Sequence, residues 1–312
     1  MNLSIVIPTR NRRAEVENLL TNILSQTFKP QEIIMVDDSK NDETYLLSDK
    51  VQARFGELGI NLVHIYGDNN GISAARNKGM DMARSEIVLF VDDDVTLDKN
   101  YIHQIFEVYN KDTNVKGVTG YLRSNKISLG LGNAINKVFQ ALMYKEEGKA
   151  LVLSTGALTY PYNLMRTSLC EWMSGTNSSY KHTVLDKIRW DENLKSYSLY
   201  DDVDLSLRVR DAFPNSLYIT PYAVCSHNPS KNARRDLKAD AYIRTAYPIY
   251  FFYKNMPQTF LNRIRFVYSQ LGRSILLILS TRKIIYIKYI IIAHIKTLRN
   301  LQTICFGNLD PS

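Results

Sequence analysis

The sequence predicts an α/β fold, in which a mainly parallel sheet is flanked by helices and followed by a helical, basic C-terminal extension. Residues 1–120 alternate between short apolar runs and segments of helical periodicity, the pattern of parallel strands joined by crossover helices. The net charge of +8 lies in residues 235–312, where only three acidic residues offset the lysines and arginines. With 312 residues and 45% hydrophobic content, the chain is long enough to bury a core.

Strands and helices are predicted in order along this first part. Five segments have the β-rich, apolar composition of strands: residues 3–8, 32–37, 60–66, 86–92 and 115–122. Between the first two, apolar residues recur at the spacing of one buried helix face: Val16, Leu19, Leu20, Ile23 and Leu24. Residues 74–82 repeat that pattern. From about residue 124 to 170 the pattern weakens, and we assign no chemistry there.

Polar residues follow the predicted strands at the edge where an open α/β sheet binds its ligands. The first strand ends in Pro8, Thr9 and Arg10, the second in Asp37 and Asp38, and the fourth in Asp92, Asp93 and Asp94. We therefore expect a ligand site at this edge.

Asp92, Asp93 and Asp94 are consecutive carboxylates, which raise one another's pKa unless a cation or strong donors lie among them. A divalent metal would remove that repulsion, and carboxylate oxygens suit Mg²⁺ or Mn²⁺. Open positions on such a metal suit a phosphate-bearing substrate. The alternative is a solvated acidic turn, and the apolar run before the triplet favours the metal site.

Asp38 and Arg76 are candidate nucleotide contacts. Asp38 opens a polar loop, where its carboxylate can accept a hydrogen bond from a base or a ribose. An Asx turn or a helix cap is the alternative. Arg76 follows turn residues near a helix start, where it can face an anion. The alternative there is an ordinary capped helix with an exposed arginine.

Asp202 and His227 are candidates farther along the chain. Asp202 stands just ahead of a helical stretch, and a carboxylate within reach of an acceptor hydroxyl is the right group for a general base. Helix capping is its alternative. His227 follows an apolar run, and a neutral imidazole is a good ligand for Mn²⁺ or Zn²⁺. A purely structural histidine is the alternative.

Taken in order, these segments resemble glycosyltransferase family 2 across about residues 2 to 255. On the donor side the similar segments are residues 4–12 and 23–27 (first strand, base-binding loop and first helix end), 32–44 (second nucleotide loop), 71–79 (Ala-Arg-Asn-x-Gly helix) and 91–95 (DXD motif). On the acceptor side they are residues 175–177, 190–192 and 201–204.

The resemblance implies a GT-A fold, built on a Rossmann-like sheet, and specific roles for single residues. The nucleotide-sugar contacts that it implies are Pro8, Thr9, Arg10, Asp38, Arg76, Asp92 and Asp93. Of these, Asp38 would contact the base, Arg76 the diphosphate and Asp92 the ribose. Asp94, joined by His227, would ligate Mn²⁺ or Mg²⁺, and Asp202 would be the catalytic base.

The sequence departs from the family pattern at three positions. Ser39 stands where a glycine is usual, so the geometry of the second loop is open. Asp201 replaces a glutamate and is one methylene shorter, so we assign it no direct role. Arg10 replaces a frequent aromatic residue, which puts stacking on the base in question.

The resemblance predicts an inverting glycosyltransferase of glycan or polysaccharide synthesis. It would move a sugar from a nucleoside diphosphate, with UDP as the first choice, to a hydroxyl of a glycan or a lipid-linked acceptor. A catalytically inactive, membrane-associated binding protein of the same fold is one alternative. A nucleotidyltransferase is another, although residues 8–12 are not its Gly-rich, Lys-containing loop. No GxGxxG follows the first strand, which disfavours an NAD-binding enzyme.

The C-terminal extension is both basic and apolar. From Arg273 to Arg299 the chain is rich in Ile, Leu and Tyr, but Arg282, Lys283 and Lys288 interrupt it, and the longest charge-free run is too short to span a bilayer. A basic amphipathic stretch suits an anionic membrane surface, near a lipid-linked acceptor. Packing on the protein or in a homodimer is the equal alternative. No recognised module supports nucleic-acid binding.

These patterns divide the chain into three segments. Residues 1–123 would form the donor-binding half of one domain, residues 124–234 its acceptor-side half, and residues 235–312 the basic extension. The three separated cysteines form neither a disulfide framework nor a CxxC metal site, and the first residues do not resemble a signal peptide. We therefore expect a cytoplasmic protein, with peripheral attachment to the cytoplasmic face of the membrane as a variant.

Overall fold

A computed structural model of the chain describes residues 1–123, 130–195, 199–228, 236–281 and 284–309. The chain forms two compact units. The sheet unit comprises Met1–Asn125 and Leu164–Ser230, and the helical unit comprises Lys126–Asn163 and Lys231–Ser312. Two of the basic residues that interrupt the C-terminal apolar sequence, Arg282 and Lys283, lie outside the described residues.

Residues 1–123 alternate between strands and helices. In chain order the elements are β1 (Leu3–Thr9), α1 (Arg13–Leu24), β2 (Glu32–Asp37), α2 (Glu43–Glu57), β3 (Asn61–Tyr66), α3 (Ile72–Met82), β4 (Ile87–Phe90), β5 (Val95–Leu97), α4 (Tyr101–Lys111) and β6 (Gly117–Arg123). The five predicted strands and the two predicted helices of this region all form, close to their predicted bounds.

After residue 130 the elements are short at first, and long helices follow. In chain order they are α5 (Leu131–Phe139), β7 (Tyr144–Glu146), β8 (Thr159–Pro161), β9 (Ser168–Leu169), β10 (Ser178–Lys181), α6 (His182–Leu185), α7 (Asp201–Ala212), β11 (Leu217–His227), α8 (Leu237–Asn255), α9 (Phe260–Thr281), α10 (Ile284–Arg299) and α11 (Leu301–Cys305). Helices α8 to α11 confirm the predicted helical C-terminal extension.

The main sheet has the strand order β3-β2-β1-β4-β10-β6-β11-β5, with β9 paired to β11. β1 runs parallel to β2 and β4, β2 runs parallel to β3, and β6 runs parallel to β11. β10 is antiparallel to both of its neighbours, and β5 and β9 are antiparallel to β11. The predicted α/β fold with flanking helices is confirmed. The sequence analysis does not predict β5, β9 and β10, because such short strands carry too little periodicity. It does not predict β11 either, although this strand has 11 residues, because Pro221 interrupts its apolar pattern.

The central strands are apolar because both of their faces are covered. Every residue of β1 and of β2 is buried, as in a parallel strand with helices on both sides of the sheet. Helix α1 buries the face that its spacing predicts: Val16, Leu19, Leu20 and Ile23. This burial specifies the strand register, and the register decides which polar residues meet at the sheet edge.

Parallel register brings three strand ends to one edge of the sheet. Thr9 at the end of β1 pairs with Asp37 at the end of β2. Val6 of β1 pairs with Phe90 of β4, and Thr9 and Asp93 lie the same number of residues beyond that pair. The loop after β1 therefore comes level with the aspartate triplet after β4.

The helical unit is built mainly on α8, α9 and α10. α10 packs along α8, and α5 packs along α9. The buried face of α9 consists of Phe266, Ser269, Gly272, Arg273, Leu276 and Leu277. Its exposed face is apolar as well and includes Phe260, Ile264, Val267, Leu271, Ile275 and Leu279. Within the described ranges, no helix combines the length and the apolarity that crossing a bilayer requires.

Candidate active site

The aspartate triplet lies between β4 and β5, and the protein's own donors hold its carboxylates. Arg12 Nη1 lies 2.7 Å from Asp93 Oδ1 and 3.1 Å from Asp94 Oδ2. Thr9 Oγ1 donates a hydrogen bond to Asp93 Oδ2 at 2.8 Å. The side chains of Asp93 and Asp94 are each 5% exposed, so the alternative of a solvated acidic turn is wrong.

Burial changes the protonation of these carboxylates. It raises the pKa of Asp93 to about 6, although the adjacent Arg12 guanidinium acts in the opposite direction. Burial also raises the pKa of Asp92, where Arg76 opposes the shift and the charge of Asp94 adds to it. Because both pKa values stay raised beside these cations, the cluster still favours additional positive charge.

His227, at the end of β11, completes a group of possible metal ligands. Its Nε2 lies 2.8 Å from Asp94 Oδ1, and this hydrogen bond raises the pKa of the imidazole while burial opposes the shift. One ligand atom from each of Asp92, Asp94 and His227 lies within 4.8 Å of the other two. Two carboxylate oxygens and one imidazole nitrogen are a donor set that Mn²⁺ accepts. The residues therefore fit a divalent metal.

Arg76, on α3, lies at the centre of a buried charge network. Its Nη1 lies 2.6 Å from Asp201 Oδ2, and its Nη2 lies 2.9 Å from Asp92 Oδ1. Nη2 also donates to the carbonyl of Gly175 at 3.1 Å, and the guanidinium stacks 4.4 Å from the ring centroid of Trp190. The side chain is 3% exposed, so the alternative of an exposed arginine is wrong. Contact of Arg76 with a diphosphate stays a prediction.

Asp202 lies in the first turn of α7, which begins after Tyr200 with its φ of 74°. Asp202 Oδ2 accepts a hydrogen bond from the Gly175 N–H at 2.9 Å, and Oδ1 accepts one from the Val203 N–H at 2.8 Å. Burial raises the pKa of Asp202 and the charge of Asp201 raises it further, while these hydrogen bonds oppose the shift. A carboxylate with a raised pKa is suited to accept a proton near neutral pH.

Asp38 is enclosed by the loop that follows β3. Its side chain is buried, and its Oδ1 accepts a hydrogen bond from the Asn69 N–H at 2.9 Å. A Cβ on Gly67 would lie 2.0 Å from Asp38 Oδ1, so a side chain at this position would displace the Asp38 carboxylate. The Asp38 N–H donates to the carbonyl of Thr9 at 2.9 Å, which joins the loops after β1 and β2.

Ser39, which stands where the family usually has glycine, links the same two loops. The Asn11 N–H donates to Ser39 Oγ at 2.7 Å, and the Ser39 N–H donates to Asp37 Oδ1 at 2.8 Å. Asn11 has a φ of 54°, a left-handed conformation that asparagine tolerates. The departure from glycine therefore adds a hydrogen-bond acceptor. Pro8 is buried and Arg10 is exposed, and their contacts with a nucleoside stay predictions.

The structure also identifies residues that the sequence analysis leaves without a role. Arg12 holds two carboxylates of the triplet, and its only sequence signal is its position in the loop after β1. Asp201 pairs with Arg76 inside the protein, although we predict no direct role for it from the family pattern. Neither contact is visible in a local pattern, because the partners are far apart along the chain.

Known proteins resemble this chain in sequence over part of its length. A glucosyl-dolichyl phosphate glucuronosyltransferase from Haloferax volcanii is 29% identical over 122 residues. The match covers 38% of this chain and 38% of that protein, which is well under two thirds of the relative.

Solved structures resemble it over more of its length. The mannosyltransferase PcManGT from Pyrobaculum calidifontis, in complex with GDP-Man and Mn²⁺, has a TM-score of 0.57 at 14% identity, over 99% of this chain and 85% of that one. GalNAc-T7 with UDP, GalNAc and Mn²⁺ has a TM-score of 0.56 at 11% identity, over 87% of this chain and 54% of that one. At such low identity these likenesses concern the fold alone, and they confirm the predicted GT-A fold.

The donor-side segments also match a family profile. The profile described as glycosyl transferase family 2 covers residues 4–169, which include the loops after β1 and β2, Arg76 and the aspartate triplet. The match extends over more than half of the chain. On this basis the protein belongs to glycosyl transferase family 2.

Proposed function

We propose that the protein is a metal-dependent, inverting glycosyltransferase. It transfers a sugar from a nucleoside diphosphate, with UDP as the first choice, to a hydroxyl of a glycan or a lipid-linked acceptor. One observation carries the proposal: the group of Asp92, Asp94 and His227 is connected through Arg76 to the first turn of α7, where Asp202 lies. A cation site for a diphosphate and a base for a hydroxyl thus belong to one network.

Asp94 and His227 are the proposed metal ligands, and Asp92, Asp93 and Arg76 are the proposed contacts of the ribose and the diphosphate. The donor set supports Mn²⁺ or Mg²⁺. A metal bound there would stabilise the negative charge that develops on the departing nucleoside diphosphate. The presence of Mn²⁺ with PcManGT and with GalNAc-T7 supports a divalent ion.

The nucleoside would lie against the loops after β1 and β2. Pro8, Thr9, Arg10 and Asp38 are its proposed contacts, and Asp38 would accept a hydrogen bond from the base. The Oδ1 atom of Asp38 is engaged by the Asn69 N–H, while its Oδ2 accepts no hydrogen bond within the described part of the chain. PcManGT carries a guanosine nucleotide and GalNAc-T7 a uridine nucleotide, so the experiment below includes both.

Asp202 is the proposed catalytic base. The acceptor hydroxyl transfers its proton to the Asp202 carboxylate as its oxygen bonds to the anomeric carbon, and the bond from that carbon to the diphosphate breaks. A single displacement from the face opposite the leaving group inverts the anomeric configuration. The N–H groups of Gly175 and Val203 orient the carboxylate, and its raised pKa supports proton uptake.

The proposed acceptor class rests on the named relative. The Haloferax volcanii enzyme is described as acting on a glucosyl-dolichyl phosphate, which is a lipid-linked sugar. That description supports a lipid-linked acceptor, and a soluble glycan stays the other member of the proposed class.

The C-terminal helices support a membrane-surface location for such chemistry. We propose that residues 260–300 lie on the anionic cytoplasmic face of a membrane. Helix α10 exposes apolar residues as well, namely Ile285, Ile287, Ile291, Ile292, Ile295 and Leu298. Arg263, Arg265, Lys288 and Arg299 are exposed on the same helices. Anionic headgroups attract such cations while apolar side chains enter the interface.

Vesicle co-sedimentation tests this location. The wild type should sediment with vesicles that contain phosphatidylglycerol but not with pure phosphatidylcholine, and Val267→Asp combined with Leu271→Asp should abolish binding. Leu46→Asp, in the sheet unit, is the matched control, because Leu46 and Val267 are both 62% exposed. Undiminished sedimentation of the double variant would remove the membrane proposal. Conversion of a wild-type dimer to a monomer by the same variant would instead support a homodimer.

The reaction itself is tested by release of nucleoside diphosphate from UDP-, GDP- and dTDP-sugars with Mn²⁺, Mg²⁺ or EDTA. Metal-dependent release from one donor is the expected result, and it identifies the nucleotide and the sugar. Pyrophosphate as the product would instead indicate a nucleotidyltransferase. Folded protein that neither binds nor cleaves any donor, with and without a membrane extract as acceptor source, would favour the inactive binding protein.

A further inference from the structure

We propose that the guanidinium of Arg12 competes with the divalent metal for the Asp94 carboxylate. This competition would set the metal affinity of the nucleotide-free protein. The inference rests on the proposed metal-dependent function and concerns the regulation of the same site. It starts from one contact, in which Arg12 Nη1 bonds to Asp93 and to Asp94 at once.

The two contacts of Arg12 are unequal. Nη1 lies 2.7 Å from Asp93 Oδ1 and 3.1 Å from Asp94 Oδ2. Thr9 also holds Asp93, through Oδ2, and Asp93 is outside the group of three residues whose ligand atoms converge. Arg12 can therefore keep its shorter bond to Asp93 and give up the longer one to Asp94.

Both oxygens of Asp94 face nitrogen donors of the protein. Oδ1 lies 2.8 Å from His227 Nε2, and Oδ2 lies 3.1 Å from Arg12 Nη1. A metal that binds Asp94 must replace at least one of these contacts, and it is repelled by the guanidinium that remains nearby. A unit charge about 5 Å from a divalent ion changes its affinity by roughly tenfold even at the dielectric constant of water.

Of the two arginines that contact the triplet among the described residues, Arg12 is the one able to move. Its side chain is 30% exposed, and its Nε and Nη2 make no hydrogen bond within the described part of the chain. Arg76, by contrast, is 3% exposed and has both terminal nitrogens bonded to carboxylates. Arg76 therefore serves as a permanent counter-charge, and Arg12 as a displaceable one.

Titration of the full-length protein with Mn²⁺ alone, followed by the electron paramagnetic resonance signal of the free ion, tests the inference without any turnover. Arg12→Gln should bind Mn²⁺ about tenfold more tightly than the wild type, because one positive charge beside Asp94 is lost. Arg12→Lys keeps that charge and should stay near the wild type. Arg13→Gln, at the exposed neighbouring position, is the matched control and should leave the affinity unchanged.

A double variant identifies the ligand through which Arg12 acts. The gain from Arg12→Gln should become smaller in the Asp94→Asn background, since Arg12 no longer competes for that carboxylate. Equal Mn²⁺ affinity of wild type and Arg12→Gln would overturn the inference and leave the proposed function intact. A gain of the same size with Asp94→Asn would overturn it too, because Arg12 would then act without competing for Asp94. If the wild type and Arg12→Gln, both folded by circular dichroism, bind no Mn²⁺, the metal dependence fails and the inference fails with it.

Discussion

The network of buried charges in the sheet unit contrasts with the exposed apolar face of α9 in the helical unit. In the sheet unit, the side chain of Arg76 is 3% exposed and that of Asp94 is 5% exposed, and each is paired with an opposite charge. In the helical unit, Phe260 is 81% exposed and Val267 is 62% exposed. Buried charges persist only where they are paired, and extended apolar surface usually marks a contact with another body. The comparison indicates that the sheet unit holds a site for charged ligands, whereas the helical unit presents an apolar surface to a partner or a membrane.

The largest expected effect concerns the chemistry of the sheet unit. Asp202→Asn should lower turnover by about 10²–10⁴-fold, because an amide can still accept the hydrogen bond from Gly175 but cannot take a proton. Turnover at saturating donor is the measurement, and Asp211→Asn, at an exposed acid of the same helix, is the control. Wild-type turnover in the Asp202 variant would remove Asp202 as the base.

The buried charge network should be sensitive to the loss of its central cation. Arg76→Leu should lower the free energy of unfolding by about 3–5 kcal/mol, because it leaves Asp92 and Asp201 buried without their counter-charge. Urea denaturation measures the change. Arg189→Leu, which breaks an exposed pair with Asp81, should change it by only about 0–1 kcal/mol. Equal losses of unfolding free energy in the two variants would contradict the idea that the buried charge network contributes more to stability than the exposed pair.

Substitutions on the buried and the exposed face of α9 should differ in their effect on the free energy of unfolding. Phe266 is buried and stacks on Phe252 at a centroid distance of 4.1 Å, so Phe266→Ala should lower the free energy of unfolding by about 3–5 kcal/mol. Val267→Ala, on the exposed face, should change it by less than about 0.5 kcal/mol. Urea denaturation in detergent-free buffer compares them. A large loss at Val267 would mean that this face is already covered in solution.

The smallest expected effect is a shift in pH dependence. The Asp202 carboxylate acts as a base when it is deprotonated, so turnover should fall as the pH is lowered through its raised pKa. The charge of Asp201 contributes to that raised pKa, and Asp201→Asn should therefore move the acidic limb of the turnover profile to lower pH, by less than about one unit. A move of this limb to higher pH would contradict the assignment.

Local sequence patterns predict the elements and the edge on which the site forms. The apolar run of residues 87–91 followed by Asp92 predicts a strand that ends in acids, and β4 ends at Phe90. The spacing of Val16 and Leu20 predicts the buried face of α1. Such predictions succeed because helix and strand periodicity is local and because parallel strands end on one side of a sheet.

Contacts between distant segments are not predictable in this way. Arg76 and Asp201 bond across 125 positions, and Arg12 and Asp93 across 81. An exposed Arg76 on an ordinary capped helix is as consistent with the local sequence as the buried residue that the structure contains. The four-residue strand β10 is not predictable from local sequence either, because its place between β4 and β6 depends on pairing with distant segments.

The family, the order of strands and loops, and the residue types at the sheet edge are thus readable from local sequence. Three features emerge only in the folded chain: which cation faces which carboxylate, which arginine is enclosed, and which face of α9 is exposed. Periodicity and turn chemistry act over a few residues, whereas ion pairing and burial depend on packing between elements that are far apart in the chain.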